Sequence, residues 1–255
     1  DFILKTNIEL ANKISNSIKR VKFEKKLIFI SSIHENSDSA YGISKFKSDE
    51  IFSQLSNEIG FHYSSLIAPN VFGPFCKPNY NSFIATFSNS IINNNKPEII
   101  DNNNVKLIYI NNLIYEIVNE FGMSSNSKKV IKEDKQIKVS EVLDTLLNFH
   151  SIYIEKDMIP NLSDSFYLNL FNTFRSYIDY KNFYPRRLKK NLDERGNFSE
   201  IIRTNSQGQF SFSNTNPDYV RGNHYHTRKV ERFIVISGKA LISLRKIGTE
   251  EIFEF

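Results

Sequence analysis

The chain has 255 residues, of which 40% are hydrophobic and 24% are charged, so its composition is that of a folded globular protein and not of a disordered one. Its net charge of +5 is spread along the sequence, and no apolar run approaches the roughly 18 residues of a membrane span, which argues against nucleic-acid and membrane partners. Cys76 is the single cysteine, which excludes an internal disulfide and favours a reducing compartment, so we expect a cytoplasmic protein.

The first part of the chain alternates short apolar runs with longer amphipathic stretches, which is typical of a parallel α/β sheet. Glycine follows the first long helical stretch at position 60, where a helix C-cap is expected. The predicted strands are Leu27 to Ile30, Tyr63 to Ile67 and Leu107 to Ile110. The predicted helices are Tyr41 to Ile59, Tyr80 to Ile92, Asn111 to Phe121, Val139 to Phe149 and Ser163 to Ile178. The Asn/Ser-rich stretch Ser124 to Ser127 is interpreted as a loop.

After Tyr184 the hydrophobic pattern changes to period two, with glycines between the apolar pairs, which indicates an all-β domain. The alternating pairs are Phe210/Phe212, Phe233/Val235 and Ile242/Leu244. We therefore predict two domains, residues 1–184 and residues 185–255. The first residue is not Met and the last residues read as the middle of a strand, so we expect both domains to be partial.

Three residues of the first domain could form a carbonyl-reducing site. Tyr41 and Lys45 are four residues apart in a predicted helix, so they lie on one face, where the ammonium can favour the phenolate and make Tyr41 a general acid/base. Ser32 follows the predicted strand at Ile30, and the carboxyl ends of parallel strands are where α/β sheets bind ligands. Its hydroxyl could hydrogen-bond a substrate carbonyl.

The segment FISSIHENSDSAYGISK, together with APNVFGPF and LIYINN, resembles the extended short-chain dehydrogenase/reductase family. The resemblance implies a Rossmann-like fold in which Ser32 polarises the carbonyl, Tyr41 passes the proton, and Tyr41 and Lys45 contact the nicotinamide cofactor. It also implies substrate binding by Asn70. Two positions depart from the family pattern: Ile67 stands where Arg is usual, and Asn111-Asn112 replace two acids. The family's Gly-rich pyrophosphate turn is not in this sequence, and we expect it to precede Asp1.

In the second domain, His224 and His226 are two residues apart, so a strand would point both to one side, and Glu231 follows five residues later. Two imidazoles and a carboxylate suit Zn²⁺ or another first-row divalent metal. The run from His224 to Gly238 resembles the first motif of the cupin family, which implies a jelly-roll domain. The upstream segment DERGNFSE resembles sugar-nucleotide epimerase-type cupins, which implies substrate binding by Arg195 and Glu200.

The order of the two halves, with the segments CKPNYNSFIATF and RGNHYH, resembles the bifunctional capsular-polysaccharide enzymes of the CapF type. The resemblance implies that the cupin domain epimerises a UDP-4-keto-6-deoxy-N-acetylhexosamine and that the first domain then reduces the sugar at C4 with NADPH. The product would be UDP-2-acetamido-2,6-dideoxy-L-talose, on the route to UDP-N-acetyl-L-fucosamine. It further implies a homodimer and, through the first of these segments, substrate binding by Asn79 and Asn81.

Two alternatives stay open at this point. The chain could be a nucleotide-sugar-binding scaffold that binds its ligand without catalysing a reaction. The departures from the family pattern at Ile67 and Asn111-Asn112 favour this alternative. It could also be another sugar-nucleotide epimerase or dehydratase of the extended short-chain dehydrogenase/reductase family.

Overall fold

The computed structural model of the chain describes residues 2–21, 23–206, 208–226 and 230–255. The helices are α1 (Phe2–Arg20), α2 (Ala40–Ile59), α3 (Phe83–Ile92), α4 (Ile110–Phe121), α5 (Val139–Phe149), α6 (Ser165–Arg175) and α7 (Tyr180–Phe183), and a π-helical segment, His150–Glu155, continues α5. The strands are β1 (Leu27–Ser32), β2 (Tyr63–Ala68), β3 (Asn70–Phe72), β4 (Asn104–Tyr109), β5 (Ser127–Val130), β6 (Lys135–Lys138), β7 (Lys190–Asp193), β8 (Gly196–Arg203), β9 (Gln209–Thr215), β10 (Ser243–Arg245) and β11 (Ile252–Glu254). None of the helices in the described ranges is both long and apolar enough to cross a membrane.

The described residues divide into two compact units, residues 1–190 with 199–212, and residues 191–198 with 213–255. The first unit contains two small sheets. In one, β1, β2 and β5 run parallel in that order, and Ser32 pairs with Ala68 at the carboxyl ends of β1 and β2. In the other, β3 is parallel to β4 and β4 is antiparallel to β6. Strands followed by helices that return to the sheet confirm the predicted Rossmann-like α/β class.

Local capping determines where α2 begins and ends. The Ser39 hydroxyl accepts a hydrogen bond from the Gly42 N–H at 3.0 Å, which satisfies one of the free donors of the first turn. At the other end, Gly60 adopts a left-handed φ of 82° and its N–H donates to the Ser56 carbonyl at 2.8 Å. The predicted C-cap at Gly60 is therefore confirmed.

Three apolar clusters form the core of the first unit. The largest packs α3, α5 and α6 against β4, and its fully buried centre includes Val142, Leu146, Leu170 and Phe174. A second cluster joins α1 and α2 around Phe52 and Leu55, and a third lies between β2, β4 and α4. Together they bury one face of each of the helices α1 to α6, which is where most helical stability comes from.

Some predicted boundaries were wrong. The helix predicted from Tyr80 begins at Phe83, because Ser82 is its N-cap and accepts from the Ala85 N–H. The strand predicted to end at Ile110 ends at Tyr109, and Ile110 opens α4. The stretch Ser124 to Ser127, interpreted as a loop, ends on the first residue of β5. Helix α1 was not predicted.

In the second unit, β10 and β11 form an antiparallel hairpin, in which Leu244 faces Phe253. Strands β7, β8 and β9 form a separate three-stranded sheet in that order, of which residues 199–212 belong to the first unit. The predicted strand at Phe233/Val235 is absent, and the described residues between β9 and β10 form no strand. A strand is stable only when a neighbouring strand pairs with it, and Phe233 and Ile234 are largely exposed here. Period two therefore predicted β9 and part of the hairpin but not the middle of this unit.

Candidate active site

Tyr41 and Lys45 lie in the first two turns of α2, and the preceding loop packs closely against that helix. The Ser37 hydroxyl donates to the His34 carbonyl at 2.8 Å. A Cβ atom on Gly42 would collide with the His34 carbonyl oxygen and the Ser37 Oγ. Glycine next to Tyr41 thus permits the loop after β1 to lie on the first turn of α2.

Lys45 connects α2 to β1. Its Nζ donates to the Ile30 carbonyl at 3.0 Å and lies 5.8 Å from the centre of the Tyr41 ring and 5.0 Å from that of Phe29. Burial lowers the pKa of the Lys45 ammonium. Tyr41 itself is 41% exposed. A cation therefore lies beside a phenol that solvent and ligands can reach.

Ser32 is the last residue of β1 and is buried. Its Oγ accepts a hydrogen bond from the His34 N–H at 3.2 Å. The Ile30 carbonyl that receives Lys45 is two residues before Ser32 on the same strand. Lys45 thus lies between the Tyr41 ring and the strand that ends at Ser32, and the catalytic roles of Ser32, Tyr41 and Lys45 stay predictions.

Asn70 opens β3 and reaches the same loop. Its Oδ1 lies 3.4 Å from Nε2 of His34, and its Nδ2 donates to the Lys106 carbonyl at 3.2 Å. Asn79 and Asn81 are exposed in the segment before α3. In the described part of the chain, neither contacts the three candidate catalytic residues, so these two substrate-binding roles also stay predictions.

The two departures from the family pattern have structural accounts. Ile67 is buried in β2 between Ser31 and Val130 of the neighbouring strands, so this position is part of the apolar sheet. At the end of β4, the carboxylate of Asp134 accepts from the Tyr109 N–H at 2.7 Å and from the Asn112 amide at 2.9 Å. An acid from a later segment thus lies beside Asn112, and sequence reasoning missed it because it is 22 residues away.

Sequence reasoning also missed an ion cluster beside the site. Glu35, Asp49 and Lys128, which we call the Lys128 cluster, come from the loop after β1, from α2 and from β5. The two carboxylates are buried and both pair with the one ammonium. Nothing in the local pattern relates these residues, since Lys128 is 79 residues from Asp49.

The two predicted substrate-binding residues of the second domain, Arg195 and Glu200, form hydrogen bonds with other side chains of the protein. Arg195 donates through Nε and Nη2 to Oδ2 of Asp193 at 3.1 and 2.6 Å, and these hydrogen bonds raise the pKa of Arg195 and lower that of Asp193. Glu200 accepts from Arg203 at 3.3 Å and from the Gln209 amide at 3.0 Å. Both predicted substrate-binding side chains are therefore engaged within the protein.

The predicted metal ligands His224, His226 and Glu231 lie near one another in pairs. Nε2 of His226 lies 3.3 Å from Oε2 of Glu231, and the His224 and His226 rings are 4.8 Å apart and nearly perpendicular. No group of three His, Cys, Asp or Glu side chains in the described ranges is arranged to hold a metal ion. The described residues around His224 and His226 do not form the strand that the two-residue spacing assumed, and the metal-binding roles of His224, His226 and Glu231 stay predictions.

Comparison with known protein families gives one match in each of the two parts of the chain. Residues 2–114 match the NAD dependent epimerase/dehydratase family, and residues 191–255 match the polysaccharide biosynthesis C-terminal domain. The chain is 31% identical over 257 residues to the UDP-2-acetamido-2,6-beta-L-arabino-hexul-4-ose reductase of Pseudomonas aeruginosa, covering 97% of this chain and 67% of the relative.

Among solved structures, the capsular polysaccharide assembling protein CapF of Staphylococcus aureus superposes with a TM-score of 0.83 at 30% identity, covering 96% of this chain and 67% of CapF. The UDP-N-acetylglucosamine 4-epimerase of Methanobrevibacter ruminantium has a TM-score of 0.57 at 19% identity, covering 67% of this chain and 68% of the epimerase, which shows a shared fold. The chain spans about two thirds of the length of each of these relatives.

Proposed function

Since the chain belongs to the family that contains CapF and the UDP-2-acetamido-2,6-beta-L-arabino-hexul-4-ose reductase, we propose that its first unit reduces the 4-keto group of a UDP-linked 2-acetamido-2,6-dideoxyhexose. The protein is an enzyme of nucleotide-sugar metabolism with a nicotinamide cofactor. The assignment of individual residues below is our own.

Reduction of a ketone adds a hydride to the carbon and a proton to the oxygen. When bound, a nicotinamide cofactor, which we propose to be NADPH, would supply the hydride. The Tyr41 hydroxyl donates the proton to the C4 oxygen, and the Ser32 hydroxyl hydrogen-bonds that oxygen while it becomes negative. The Lys45 ammonium stabilises the phenolate that Tyr41 leaves behind. Because Tyr41 is exposed, solvent can return its proton.

The observation that carries this proposal is the position of Lys45. Its ammonium has three N–H groups, and one of them donates a hydrogen bond to the Ile30 carbonyl. The ammonium also lies beside the Tyr41 ring, near the end of the strand that carries Ser32. The remaining donors suit the hydroxyls of a nicotinamide ribose. The residues present therefore fit the nicotinamide end of the cofactor, with Tyr41 and Lys45 holding it.

The remaining assignments are proposals with less support. We propose NADPH as the preferred cofactor, with Asn70 as a contact of the sugar, since it reaches the Ser32 loop through His34. We propose that the second unit is part of a cupin domain that epimerises the keto sugar with Zn²⁺, for the synthesis of a capsule or O-antigen. A cytoplasmic homodimer likewise stays a prediction of the sequence.

The proposal is tested by Tyr41→Phe in the full-length protein, with Tyr115→Phe, an exposed tyrosine of α4, as the matched control. Loss of the acid should lower kcat for keto-sugar reduction on the order of 10² to 10⁴-fold, measured by NADPH absorbance, with binding of the UDP-sugar retained. A Tyr41→Phe enzyme with more than half of the wild-type kcat would show that another group donates the proton. If the wild-type protein binds the UDP-sugar but does not reduce it, the result would favour the alternative of a nucleotide-sugar-binding scaffold without turnover.

A further inference from the structure

The Lys128 cluster joins the two segments that carry the candidate catalytic residues. Lys128 Nζ lies 2.9 Å from Oε1 of Glu35 and 2.7 Å from Oδ2 of Asp49. The two carboxylates are 5% and 6% exposed, whereas the lysine side chain is 46% exposed. One ammonium on β5 thus pairs with an acid from the loop after β1 and with an acid from α2.

Glu35 is directly connected to the end of β1. Its carboxylate accepts a hydrogen bond from the Ser31 hydroxyl, and its N–H donates to the Ser32 carbonyl at 2.9 Å. The neighbouring His34 N–H donates to the Ser32 hydroxyl. Glu35 is therefore hydrogen-bonded to both of the last residues of β1, to Ser31 through its side chain and to Ser32 through its backbone.

Asp49 is connected to the catalytic face of α2. It lies one turn beyond Lys45 in the helix, and its Oδ1 accepts from the Tyr63 hydroxyl of β2 at 2.5 Å. Burial alone would raise the pKa of Asp49, but the hydrogen bonds from Lys128 and Tyr63 outweigh it and lower that pKa. Asp49 is thus an anion held against the sheet.

The charges require Lys128. Lys128 is the ammonium that pairs with both of these buried carboxylates, and without it each carboxylate would lose that ion pair. Burial by itself lowers the pKa of Lys128, but its bonds to Asp49 and Glu35 raise it overall, so the lysine is a cation at neutral pH. Removing this charge would push the loop and the helix apart.

We propose that Lys128 is a positioning residue, which holds the Ser32 loop and α2 at the separation that places Ser32, Tyr41 and Lys45 around one carbonyl. The inference rests on the proposed function, because it takes these three residues as the reacting groups. Lys128 does not touch the carbonyl in this scheme and acts through Glu35 and Asp49.

Lys129 provides a matched control on the same strand. It follows Lys128 directly, and its Nζ pairs with Glu116 of α4 at 2.5 Å, where both side chains are partly exposed. Replacing either lysine by Met removes one positive charge from β5, together with one ion pair for Lys129 and two for Lys128. Only Lys128, however, contacts the segments that carry the catalytic residues.

The kinetic test compares Lys128→Met, Lys128→Arg and Lys129→Met in the full-length protein. We expect Lys128→Met to lower kcat on the order of 10²-fold, since a displacement of about 1 Å has that effect, with KM for the UDP-sugar within about threefold. Lys128→Arg, which can pair with both carboxylates, should restore most of kcat. Lys129→Met should leave kcat within about threefold of wild type. A folded Lys128→Met enzyme with wild-type kcat overturns the proposal, and a rise in KM alone would make Lys128 a binding residue instead.

A second readout does not depend on turnover. With 3-fluorotyrosine incorporated at position 41, the ¹⁹F resonance should shift in Lys128→Met and stay unchanged in Lys129→Met. If wild type reduces no keto sugar, the proposed function fails, yet the ¹⁹F comparison still decides whether Lys128 positions Tyr41. An unchanged resonance in Lys128→Met refutes positioning even if the enzyme is active. Should Lys128→Met not fold, Glu35→Gln, which keeps the Lys128–Asp49 pair, should show the same effects to a smaller degree, and their absence there overturns the proposal.

Discussion

Replacing Lys26 by Met should destabilise the first unit by leaving the Glu120 carboxylate buried without its cation. Glu120 lies at the end of α4, and its Oε1 accepts from Lys26 at 2.8 Å and from the hydroxyls of Ser64 and Ser127 at 2.7 and 2.8 Å. The Lys26 and Glu120 side chains are only 7% and 9% exposed. Lys26 also donates to the Met123 carbonyl at 3.0 Å. The pair joins the segment before β1 to α4, β2 and β5.

The magnitude follows from the pKa of Glu120. Burial alone would raise it, but the bonds from Lys26, Ser64 and Ser127 lower it to about 2, against an ordinary value of 4.5. At about 1.4 kcal/mol per pKa unit this corresponds to at most about 3.5 kcal/mol, and solvent screening reduces it to roughly 1–2 kcal/mol. Removing one partner of a buried pair adds an uncompensated desolvation penalty. We expect Lys26→Met to lower the free energy of unfolding by about 2–3 kcal/mol at pH 7.

The pH dependence identifies the cause. Because the folded-state pKa of Glu120 is depressed, its stabilisation is present above about pH 4.5 and is lost as the pH falls toward 2. The difference between wild type and Lys26→Met should therefore be full at pH 7 and narrow as the pH falls from 4.5 toward 2, measured by urea unfolding. Lys19→Met is the control, since the Lys19–Glu58 pair is 43% and 57% exposed and should contribute less than about 1 kcal/mol. A deficit that equals this control, or that does not change with pH, would refute the reasoning.

Three further predictions concern the two sites. Gly42→Ala should push the loop after β1 away from α2, because the added Cβ would collide with the His34 carbonyl oxygen. The variant should have a lower kcat while circular dichroism shows that the fold is retained. A wild-type kcat would show that the loop adapts to the added methyl group. Lys45→Met should lower kcat and weaken NADPH binding together, measured by turnover and cofactor titration, and a change in only one would separate its roles toward Tyr41 and the ribose. His224→Ala in the full-length protein should lower the zinc content in elemental analysis and spare reduction of a pre-epimerised keto sugar; zinc at wild-type content would make His224 an ordinary polar residue.

Local patterns in the sequence determined the elements that carry the candidate catalytic residues. The strand at Leu27 to Ile30, the helix from Tyr41 to Ile59 and its Gly60 cap were predicted from periodicity and capping, and the structure contains all three. The strand was predicted to be buried, but Leu27 to Ile30 are only half-buried. Four-residue spacing on a helix is enough to bring Lys45 close to Tyr41, since both lie on adjacent turns. The chemistry of this pair could therefore be proposed before any tertiary contact was known.

The tertiary structure decided which distant charges meet and which strands form. Lys128, Asp134 and Lys26 contact partners 79, 22 and 94 residues away, and a residue's neighbours across a sheet follow from strand order and register, which no local pattern encodes. For the same reason, period two correctly predicted β9 but not a strand at Phe233, where no neighbouring strand in the described part pairs with the segment. Helical contacts lie within one or two turns of the chain, whereas ion clusters and strand pairs require segments that only folding brings together.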